Sequence, residues 1–360
     1  MTAYCLAPRI ENDPIESEAR HRRPMMVTPN AQGQTMPQPS NAPPADAPEA
    51  EQAEILRLPG RQTLDIATVR DLSRRDDAQG ARRTAGHFAF MLATGSLVWL
   101  AGDNWLWLVP AMLLHGFTIV TMFAAMHECV HKTAFETPRL NDIVGWIAGA
   151  LCFYNFTFYR RYHTWHHRYT QDVERDPELS TPRPRNLFEY LLHLSGIPFW
   201  FGKPLELAGL ALGRTAQYPF IPDSQRASIV WSARAQLGLY LTLLVGSLAL
   251  GTSVVLTYWL LPAVLAEPLL RAILFVEHTG CSQDDDGLTN TRTTLASWPV
   301  RFLMWNMPFH AEHHLYPSIP FFCLPKAHRL LRAKFAHIAP GYPQANAEVV
   351  RGLSTPQPAA

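Results

Sequence analysis

The sequence predicts an all-α membrane protein in which four transmembrane helices form two hairpins, accompanied by interfacial helices and a cytoplasmic histidine-rich cap. Three observations predict this fold class. Long apolar runs occur in two pairs, each pair is divided by a short turn without Lys or Arg, and histidines with helical spacing follow the runs. Apolar residues make up 48% of the 360 residues and charged residues only 17%, below the roughly one quarter usual for soluble proteins.

Charge and cysteine content narrow the class further. The net charge of +1 gives no argument for nucleic-acid binding, so we expect no nucleic-acid partner. The cysteines show no CxxC pairing, and we interpret them as free thiols in a reducing compartment. They are Cys5, Cys129, Cys152, Cys281 and Cys323.

The N-terminal part of the chain differs in composition from the rest. The stretch "TPNAQGQTMPQPSNAPPADAPEAEQAE" has few large apolar side chains, so it cannot bury enough surface to offset the entropy cost of ordering. We predict a disordered Pro/Ala-rich arm with a charged approach to the membrane over 1–82, a membrane domain over 83–338 and a flexible tail over 339–360. No apolar run follows the N-terminus, so no cleaved signal peptide is expected.

The first pair of apolar runs lies on either side of a polar turn. "AGHFAFMLATGSLVWLA" ends at Gly102-Asp103-Asn104, and "WLWLVPAMLLHGFTIVTMFAAM" follows without a charged residue. A helix needs about 20 apolar residues to cross a bilayer core, so the second run spans readily and the first has nearly the required length. We predict that the two runs form a hairpin.

A second pair follows the same plan. "IVWSARAQLGLYLTLLVGSLAL" and "VVLTYWLLPAVLAEPLLRAILF" are divided by Gly251-Thr252-Ser253. A charge at mid-bilayer costs about 2.5–3.5 kcal/mol, so Arg234 and the Glu267/Arg271 pair are expected near the ends of their helices. Two further stretches, "DIVGWIAGALCFYNFTF" and "NLFEYLLHLSGIPFWFGKPLELAGLAL", are shorter or interrupted by Pro and charge, and are predicted to be interfacial.

The distribution of positive charge predicts the orientation. The two turns carry no Lys or Arg, whereas the segments at the opposite ends of the runs are rich in them. By the positive-inside rule, both hairpins return to the cytoplasm, and both termini are cytoplasmic. The basic residues on that side are Arg82, Arg83, Lys132, Arg139, Arg160, Arg161, Arg168, Arg292 and Arg301.

Histidines cluster in the segments predicted to be cytoplasmic. "HTWHH" at 163–167 and "HAEHH" at 310–314 both place histidines at i, i+3 and i+4, which are neighbours on one face of a helix. "HECVH" at 127–131 follows the second run, and a single histidine in "FVEHTG" follows the fourth. The predicted topology brings these segments to one face of the membrane. The histidines are His127, His131, His163, His166, His167, His278, His310, His313 and His314.

So many imidazoles at one membrane face indicate metal ligation. Neutral imidazole binds Zn, Cu, Fe and Ni, whereas carboxylate-rich sites suit harder ions. Eight or nine ligands exceed what one tetrahedral zinc ion can use. Two metal ions of higher coordination number, with open positions for oxygen, fit the number of histidines better.

The motifs "MHECVH", "HTWHHRYTQDVERDPEL" and "WNMPFHAEHHLYPSIP" resemble the three histidine boxes of the integral-membrane fatty acid desaturases. The superfamily also includes alkane hydroxylases, carotenoid ketolases and hydroxylases, and the desaturase of rhizobitoxine biosynthesis. The resemblance covers about 85–335. It implies a non-haem di-iron centre that uses O₂ and two electrons to remove or oxidise aliphatic hydrogens.

The resemblance also implies the ligands of the two iron ions. Box one corresponds to His127 and His131, box two to "HTWHH" and box three to "HAEHH", while His278 lies where members of the family place an extra ligand. Some desaturases have an Asn one helical turn before that extra histidine, where this chain has Leu274. A water-bridged further ligand is therefore not expected, and Asn306, four residues before His310, is predicted to support the site instead.

The expected reaction is desaturation of an acyl chain of a lipid, with O₂ as co-substrate. No HPGG stretch of a fused cytochrome b5 occurs, so electrons should arrive from a separate carrier of ferredoxin, rubredoxin or cytochrome b5 type. A hydroxylase or ketolase acting on a carotenoid, an alkane or a small lipid-like substrate shares the same boxes and remains the alternative. A membrane receptor or transporter with a structural zinc ion is the alternative outside the enzyme class.

Other residues are assigned supporting or structural roles. Asp172, Asp176, Glu277 and Glu312 are candidates to hold the ring N–H groups of ligating histidines, because such ligands are usually oriented by a carboxylate or carbonyl. His115, about 18 Å from His127 along one helix, is predicted to be a satisfied polar residue. His87, His193, His328 and His337 are predicted to lie at the surface or interface, and His21 in the disordered arm.

Overall fold

The computed structural model describes residues 63–353, and these residues are mainly helical. The described helices are α1 Ile66–Leu72, α2 Asp77–Ala101, α3 Trp105–Val120, α4 Met122–Val130, α5 Pro138–Leu151, α6 Phe156–Arg168, α7 Leu187–Leu194, α8 Ile197–Ala211, α9 Asp223–Ala249, α10 Leu261–Phe275, α11 Trp298–Leu303, α12 His310–Leu315, α13 Leu324–Leu331 and α14 Tyr342–Leu353. A 3₁₀ turn covers Pro177–Ser180 and a π-helical turn Leu256–Leu260. Two short strands, β1 Thr293–Thr294 and β2 Ile338–Ala339, pair in parallel with Thr293 opposite Ile338.

Four of the described helical segments are long and apolar enough to cross a membrane. They are α2 at Asp77–Ala101, α3 continuing into α4 at Trp105–Val130, α9 at Asp223–Ala249, and the π-helical turn with α10 at Leu256–Phe275. At about 1.5 Å per residue, each reaches the roughly 30 Å of a bilayer core. The prediction of a mainly helical protein with four candidate membrane-spanning helices is therefore confirmed, whereas α5 and α8 are too short to belong to this set.

Both predicted turns fall between the members of a pair. Helix α2 stops at Gly102, whose φ of 53° is a conformation that glycine adopts without a steric cost. The side chain of Asn104 then accepts a hydrogen bond from the backbone N–H of Leu106 and begins α3. Gly251, with φ of 63°, has the corresponding place after α9.

Helices α3 and α10 pack closely because a glycine lies where they meet. A Cβ placed on Gly116 would be 1.8 Å from the carbonyl oxygen of Pro262 and 2.9 Å from Cβ of Ala266. Small residues let the backbones of membrane helices approach, and dispersion contacts then hold them together. This contact joins the second candidate span to the fourth, and His131 and His278 follow directly after these two spans.

Gly116→Ala is expected to destabilise the protein by about 1–3 kcal/mol, because the added methyl group would overlap backbone atoms of α10 and force the helices apart. Thermal unfolding in detergent should show a lowered Tm. Gly246→Ala is the matched control, since a Cβ at Gly246 in α9 meets nothing within 4 Å. Equal Tm values for both variants would contradict the close packing.

The structure differs from the sequence prediction at the start of the described region. Residues 1–62 of the predicted arm lie outside it, but 63–82 form α1 and the first turns of α2. Leu72 is buried, the backbone N–H of Leu64 donates to the Tyr316 hydroxyl at 3.1 Å, and the hydroxyls of Ser73 and Ser318 lie 3.0 Å apart. Contacts with the segment after box three therefore order these residues despite their charge.

The predicted tail also contains ordered structure. Within 339–360, residues 342–353 form α14, and residues 354–360 lie outside the described part. Ala345 and Val349, four residues apart, are buried on one face of the helix. Asn346 donates to the carbonyl oxygen of Ala272 at 3.0 Å and accepts from the Tyr190 hydroxyl at 2.6 Å. The prediction of a loose tail is wrong for this helix, because its short apolar face finds partners only in the folded protein.

Of the two charged residues in the fourth span, Arg271 lies near the end of the helix, as predicted, whereas Glu267 lies deeper and is neutralised by the protein. Arg271 lies one turn before the end of α10, but Glu267 lies a further turn inside and is 1% exposed. The Arg271 guanidinium donates to Glu267 at 2.5 Å and to the Tyr154 hydroxyl at 2.6 Å. A charge that is paired inside the protein avoids most of the cost expected in lipid.

Candidate metal centre

Four separate segments bring histidines together. His127 lies on α4, and His131 follows directly after it. Box two lies on α6, box three forms the first five residues of α12, and His278 lies in the turn after α10. Asn155 is the N-cap of helix α6, because its side chain accepts a hydrogen bond from the backbone N–H of Phe158. It therefore fixes where the helix that carries box two begins.

The first cluster contains five histidines whose potential ligand atoms all lie within 4.8 Å of one another. Nε2 of His167 lies 2.9 Å from Nε2 of His163, and Nε2 of His313 lies 3.2 Å from Nε2 of His131. Nε2 of His127 is buried without a hydrogen-bond partner in the described structure. The first cluster is His127, His131, His163, His167 and His313.

The second cluster contains His166, His278 and His314, which meet the same 4.8 Å criterion. Its central ring is His278, whose Nε2 lies 3.2 Å from Nε2 of His166 and 3.2 Å from Nε2 of His310. His310 therefore adjoins the second cluster. All nine predicted histidines are brought together, although they are spread over nearly 190 residues of sequence.

Seven of the nine clustered rings are held in the neutral form that binds metal ions. Burial, together with neighbouring histidines, lowers the pKa of His131 to about 3 and that of His278 to about 3. Burial also lowers the pKa of His163, His167, His310, His313 and His314 well below the usual value. Neutral imidazoles whose nitrogens face each other across about 3 Å repel unless a proton or a metal ion lies between them. The residues present therefore fit two imidazole-bound metal ions.

Asp176 orients one histidine, as the sequence predicts. Its Oδ1 lies 2.9 Å from Nδ1 of His166, and its other oxygen accepts from the backbone N–H of Gln171 at 2.9 Å. Burial alone would lower the pKa of His166, but the carboxylates of Glu178 and Asp176 raise it to about 9, so this ring must release a proton before its Nε2 can bind a metal ion. The Nδ1–H contact leaves Nε2 pointing to the second cluster, which is the arrangement usual for ligating histidines.

Two further rings are oriented by groups that are not carboxylates. Nδ1 of His278 lies 3.3 Å from the carbonyl oxygen of Asn290, in agreement with the predicted carbonyl or carboxylate partner. Nδ1 of His163 lies 3.3 Å from the Tyr159 hydroxyl, and the two rings stack at 5.1 Å. Tyr159 was not among the predicted supporting residues, although its place four positions before a ligand on the same helix was a usable signal.

Three predicted supporting residues have other partners. Asp172 is engaged by the Arg175 guanidinium at the protein surface. Glu312 accepts from the Thr293 hydroxyl and lies against Nδ1 of His328, both at 2.5 Å. Asn306 donates to the carbonyl oxygen of Phe321. The predictions that they support the clustered rings are wrong, because each of the three side chains is engaged by another group of the protein.

The remaining histidines divide into buried and peripheral ones. His87, predicted at the surface or interface, is fully buried, with Nε2 2.8 Å from the Thr118 carbonyl oxygen and Nδ1 accepting from the Trp305 indole. His328 is likewise not free at the surface, because it pairs with Glu312. His115 is satisfied, as predicted, by the Tyr258 carbonyl oxygen at 2.9 Å and the Thr94 hydroxyl at 3.0 Å. His193 and His337 are half-buried, and His21 lies outside the described residues.

Asp176→Asn is expected to weaken metal binding and activity by about 10–100-fold, because an amide orients the His166 ring less firmly than a carboxylate. Metal content per chain and turnover would be measured on the purified protein. Asp172→Asn is the matched control, since Asp172 lies on the same loop but pairs with Arg175 and belongs to neither cluster. Unchanged metal content in Asp176→Asn would contradict the orienting role.

Helices able to span a membrane and a buried, histidine-lined centre are together typical of membrane-bound, metal-dependent oxidoreductases. The family model "Fatty acid desaturase" matches residues 103–345. The chain therefore belongs to the fatty acid desaturase family and is an oxidoreductase of the desaturase type. The di-iron chemistry expected from the sequence fits this family.

Individual relatives agree with this assignment. Dihydrorhizobitoxine desaturase of Bradyrhizobium elkanii is 25% identical over 274 residues, covering 71% of this chain and 76% of the relative. The sn-1 oleoyl-lipid 12-desaturase of Picosynechococcus sp. is 25% identical, covering 66% and 73%. The Delta(12)-fatty-acid desaturase of Vernicia fordii is 24% identical, covering 66% and 72%. These proteins are similar to the chain at a level that supports the family and the reaction type.

Proposed function

We propose that the protein is a membrane-bound, non-haem di-iron desaturase that uses O₂ and electrons from a separate carrier to introduce a double bond into an acyl chain of a lipid. The observation that carries this proposal is the convergence of nine histidines from four segments into two buried clusters. Two of the relatives are named as desaturases of lipids or fatty acids. The domain responsible is proposed to extend over 83–338.

The nine histidines are proposed to divide between two iron ions. The first cluster would hold one ion, and the second cluster with His310 would hold the other. When bound, such a centre supplies the oxidising power to remove hydrogen from an unactivated methylene group. The ligands proposed for the two ions are His127, His131, His163, His167 and His313, and His166, His278, His310 and His314.

The protein's own residues position and protect this centre. Tyr159, Asp176 and the Asn290 carbonyl fix ring orientations, so each Nε2 faces its cluster before metal arrives. The core around α4 is packed with apolar side chains such as Phe123 and Met126, which limit access of water. Exclusion of water strengthens electrostatic interactions in the site and prevents side reactions.

A small lipid-like substrate in place of an acyl lipid is the second candidate. The relative from Bradyrhizobium elkanii is named for dihydrorhizobitoxine rather than for a lipid, and its identity of 25% is the same as that of the sn-1 oleoyl-lipid 12-desaturase. A hydroxylase or ketolase reaction would use the same histidines and remains the alternative chemistry. A zinc-containing receptor or transporter does not agree with membership of a desaturase family.

Metal analysis and product analysis together test the proposal. About two iron ions per purified chain are expected, and lipids of a host expressing the protein should contain a new double bond. A host expressing His163→Ala at equal protein level is the control. One zinc ion and no iron would contradict the di-iron proposal. A new hydroxyl or keto group in the lipids would instead support the alternative hydroxylase or ketolase reaction.

Electron supply and orientation complete the proposal. The donor is proposed to be a ferredoxin, a rubredoxin or a cytochrome b5, a carrier that occurs in the name of one relative.

Both termini and both clusters are proposed to face the cytoplasm, with the four spans as two hairpins, because the basic residues lie at that end of the runs. Reporter fusions at each terminus and after Gly251 test this: a cytoplasmic signal at residue 251 would contradict it.

A further inference from the structure

Glu277 has an environment that the fold alone does not explain. It lies immediately before His278, is 7% exposed, and its Oε1 is buried without a hydrogen-bond partner. Its other oxygen, Oε2, lies 3.5 Å from Nε2 of His310. A buried carboxylate normally requires a cation or several hydrogen-bond donors, because the cost of removing the charge from water is several kcal/mol.

No Lys or Arg within the described part of the chain forms an ion pair with Glu277. Arg292 is the buried cation of this segment, but its guanidinium donates to the carbonyl oxygens of Val276 and Thr279 and lies 3.6 Å from Glu348. Its backbone N–H also donates to the carbonyl oxygen of Glu277 at 2.7 Å. Arg292 therefore holds the backbone of this turn and leaves the carboxylate without a counter-charge.

The local backbone directs Glu277 and His278 towards the same point. Side chains of adjacent residues diverge on a helix, so a continuous helix would direct Glu277 away from His278. Helix α10 ends at Phe275, however, and both residues lie in the turn that follows, which ends at Gly280 with φ of 81°. Oε2 of Glu277 lies beside Nε2 of His310, and the same Nε2 is 3.2 Å from Nε2 of His278. The carboxylate is thus on the side where the ring nitrogens converge.

The two clusters differ in their number of histidines. The first cluster has five, whereas the second has three with His310 beside it. The second is also where carboxylate oxygens approach ring nitrogens that face the cluster: Glu277 beside His310, and Glu178 beside His166 at 3.7 Å. The two carboxylates are not equivalent, because the Glu178 side chain is 36% exposed and can be hydrated without a metal ion.

We propose that Glu277 supplies a carboxylate oxygen to the metal ion held by the second cluster, which therefore has a mixed histidine and carboxylate ligand set, while the ion in the first cluster is bound by histidines alone. This rests on the proposed function. The carboxylate gives the buried ion a negative counter-charge that neutral imidazoles lack, and the ion gives Glu277 the cation that the protein does not provide. The two metal ions are then chemically distinct.

The test uses full-length protein purified in detergent and loaded with ⁵⁷Fe(II) under anaerobic conditions. Wild type should bind two iron ions that give two distinguishable Mössbauer signals. In Glu277→Gln, the second iron should bind at least about 100-fold more weakly, beyond the effect of losing an orienting partner, and one signal should disappear. Glu277→Asp, which keeps the carboxylate, should retain part of that signal.

Two controls separate ligation from other effects. Glu178→Gln removes a charge near the same cluster and should keep both iron ions. Metal-free Glu277→Gln should be at least as thermally stable as metal-free wild type, because it loses an unpaired buried charge. Two iron ions and an unchanged spectrum in Glu277→Gln, or equal iron loss in Glu178→Gln, would overturn the proposal. Absence of iron from wild type would instead contradict the proposed function.

Discussion

Replacing His167 or His314 by alanine is expected to abolish desaturase activity. His167 belongs to the first cluster and His314 to the second, and their rings stack at 4.0 Å where the clusters meet. Losing even an orienting partner of a ligand costs about 10–100-fold, so loss of the ligand itself should reduce activity by more than about 100-fold. Product formation per unit of purified protein is the measurement.

Membrane insertion should survive these substitutions, because none of the four candidate spans contains either residue. The amount of protein in the membrane fraction should therefore remain close to wild type. His337→Ala is the matched control, since His337 is half-buried and belongs to neither cluster. Full turnover in His167→Ala or His314→Ala would show that the assigned ligand is wrong.

His278→Ala is expected to lose one of the two iron ions while the other stays bound. Activity should fall steeply. His278 is the central ring of the second cluster, whereas it lies outside the first. Its removal should leave the five histidines of the first cluster able to hold their ion. Iron per chain should fall from about two towards one, as measured by elemental analysis and Mössbauer spectroscopy.

His193→Ala provides the comparison for this variant. His193 packs against Phe275, which ends α10 just before the turn that carries His278. His193 itself belongs to neither cluster. It should keep both iron ions and most of the activity. If His278→Ala retained its full iron and turnover, the ligand set would reduce to the eight box histidines.

The spans were predictable because their signal is local. About 20 apolar residues in a row have one stable arrangement in a bilayer, and a polar turn such as Gly102-Asp103-Asn104 ends a helix by its own backbone preferences. The spacing of box two and box three is equally local, since i, i+3 and i+4 share a helix face wherever the helix lies. Ordering of α1 and α14 was not predictable, because it depends on partners such as Tyr316 and Tyr190 that are distant in sequence.

The residues that support the metal centre were likewise predictable only as far as local sequence reaches. Asp176 was a candidate beside three other acidic residues, and only the fold distinguishes its contact with His166 from the surface pair of Asp172 and Arg175. His87 has no spacing signal, and its burial against Trp305 joins residues 218 positions apart. Polar residues of this kind acquire a role only when tertiary contacts exclude water from them.

The sequence by itself predicted a mainly helical membrane protein with four candidate spanning helices and the eight box histidines as candidate ligands, because hydropathy and helical spacing are properties of short segments. His278 was added only by its position after the fourth run and by the family resemblance. Only the tertiary structure decided how these histidines divide into two clusters, which side chains orient them, and that Glu277 approaches His310. Those outcomes depend on where α6, α12 and the turn after α10 meet. No short segment contains that information, because a ligand set is a property of distances between segments.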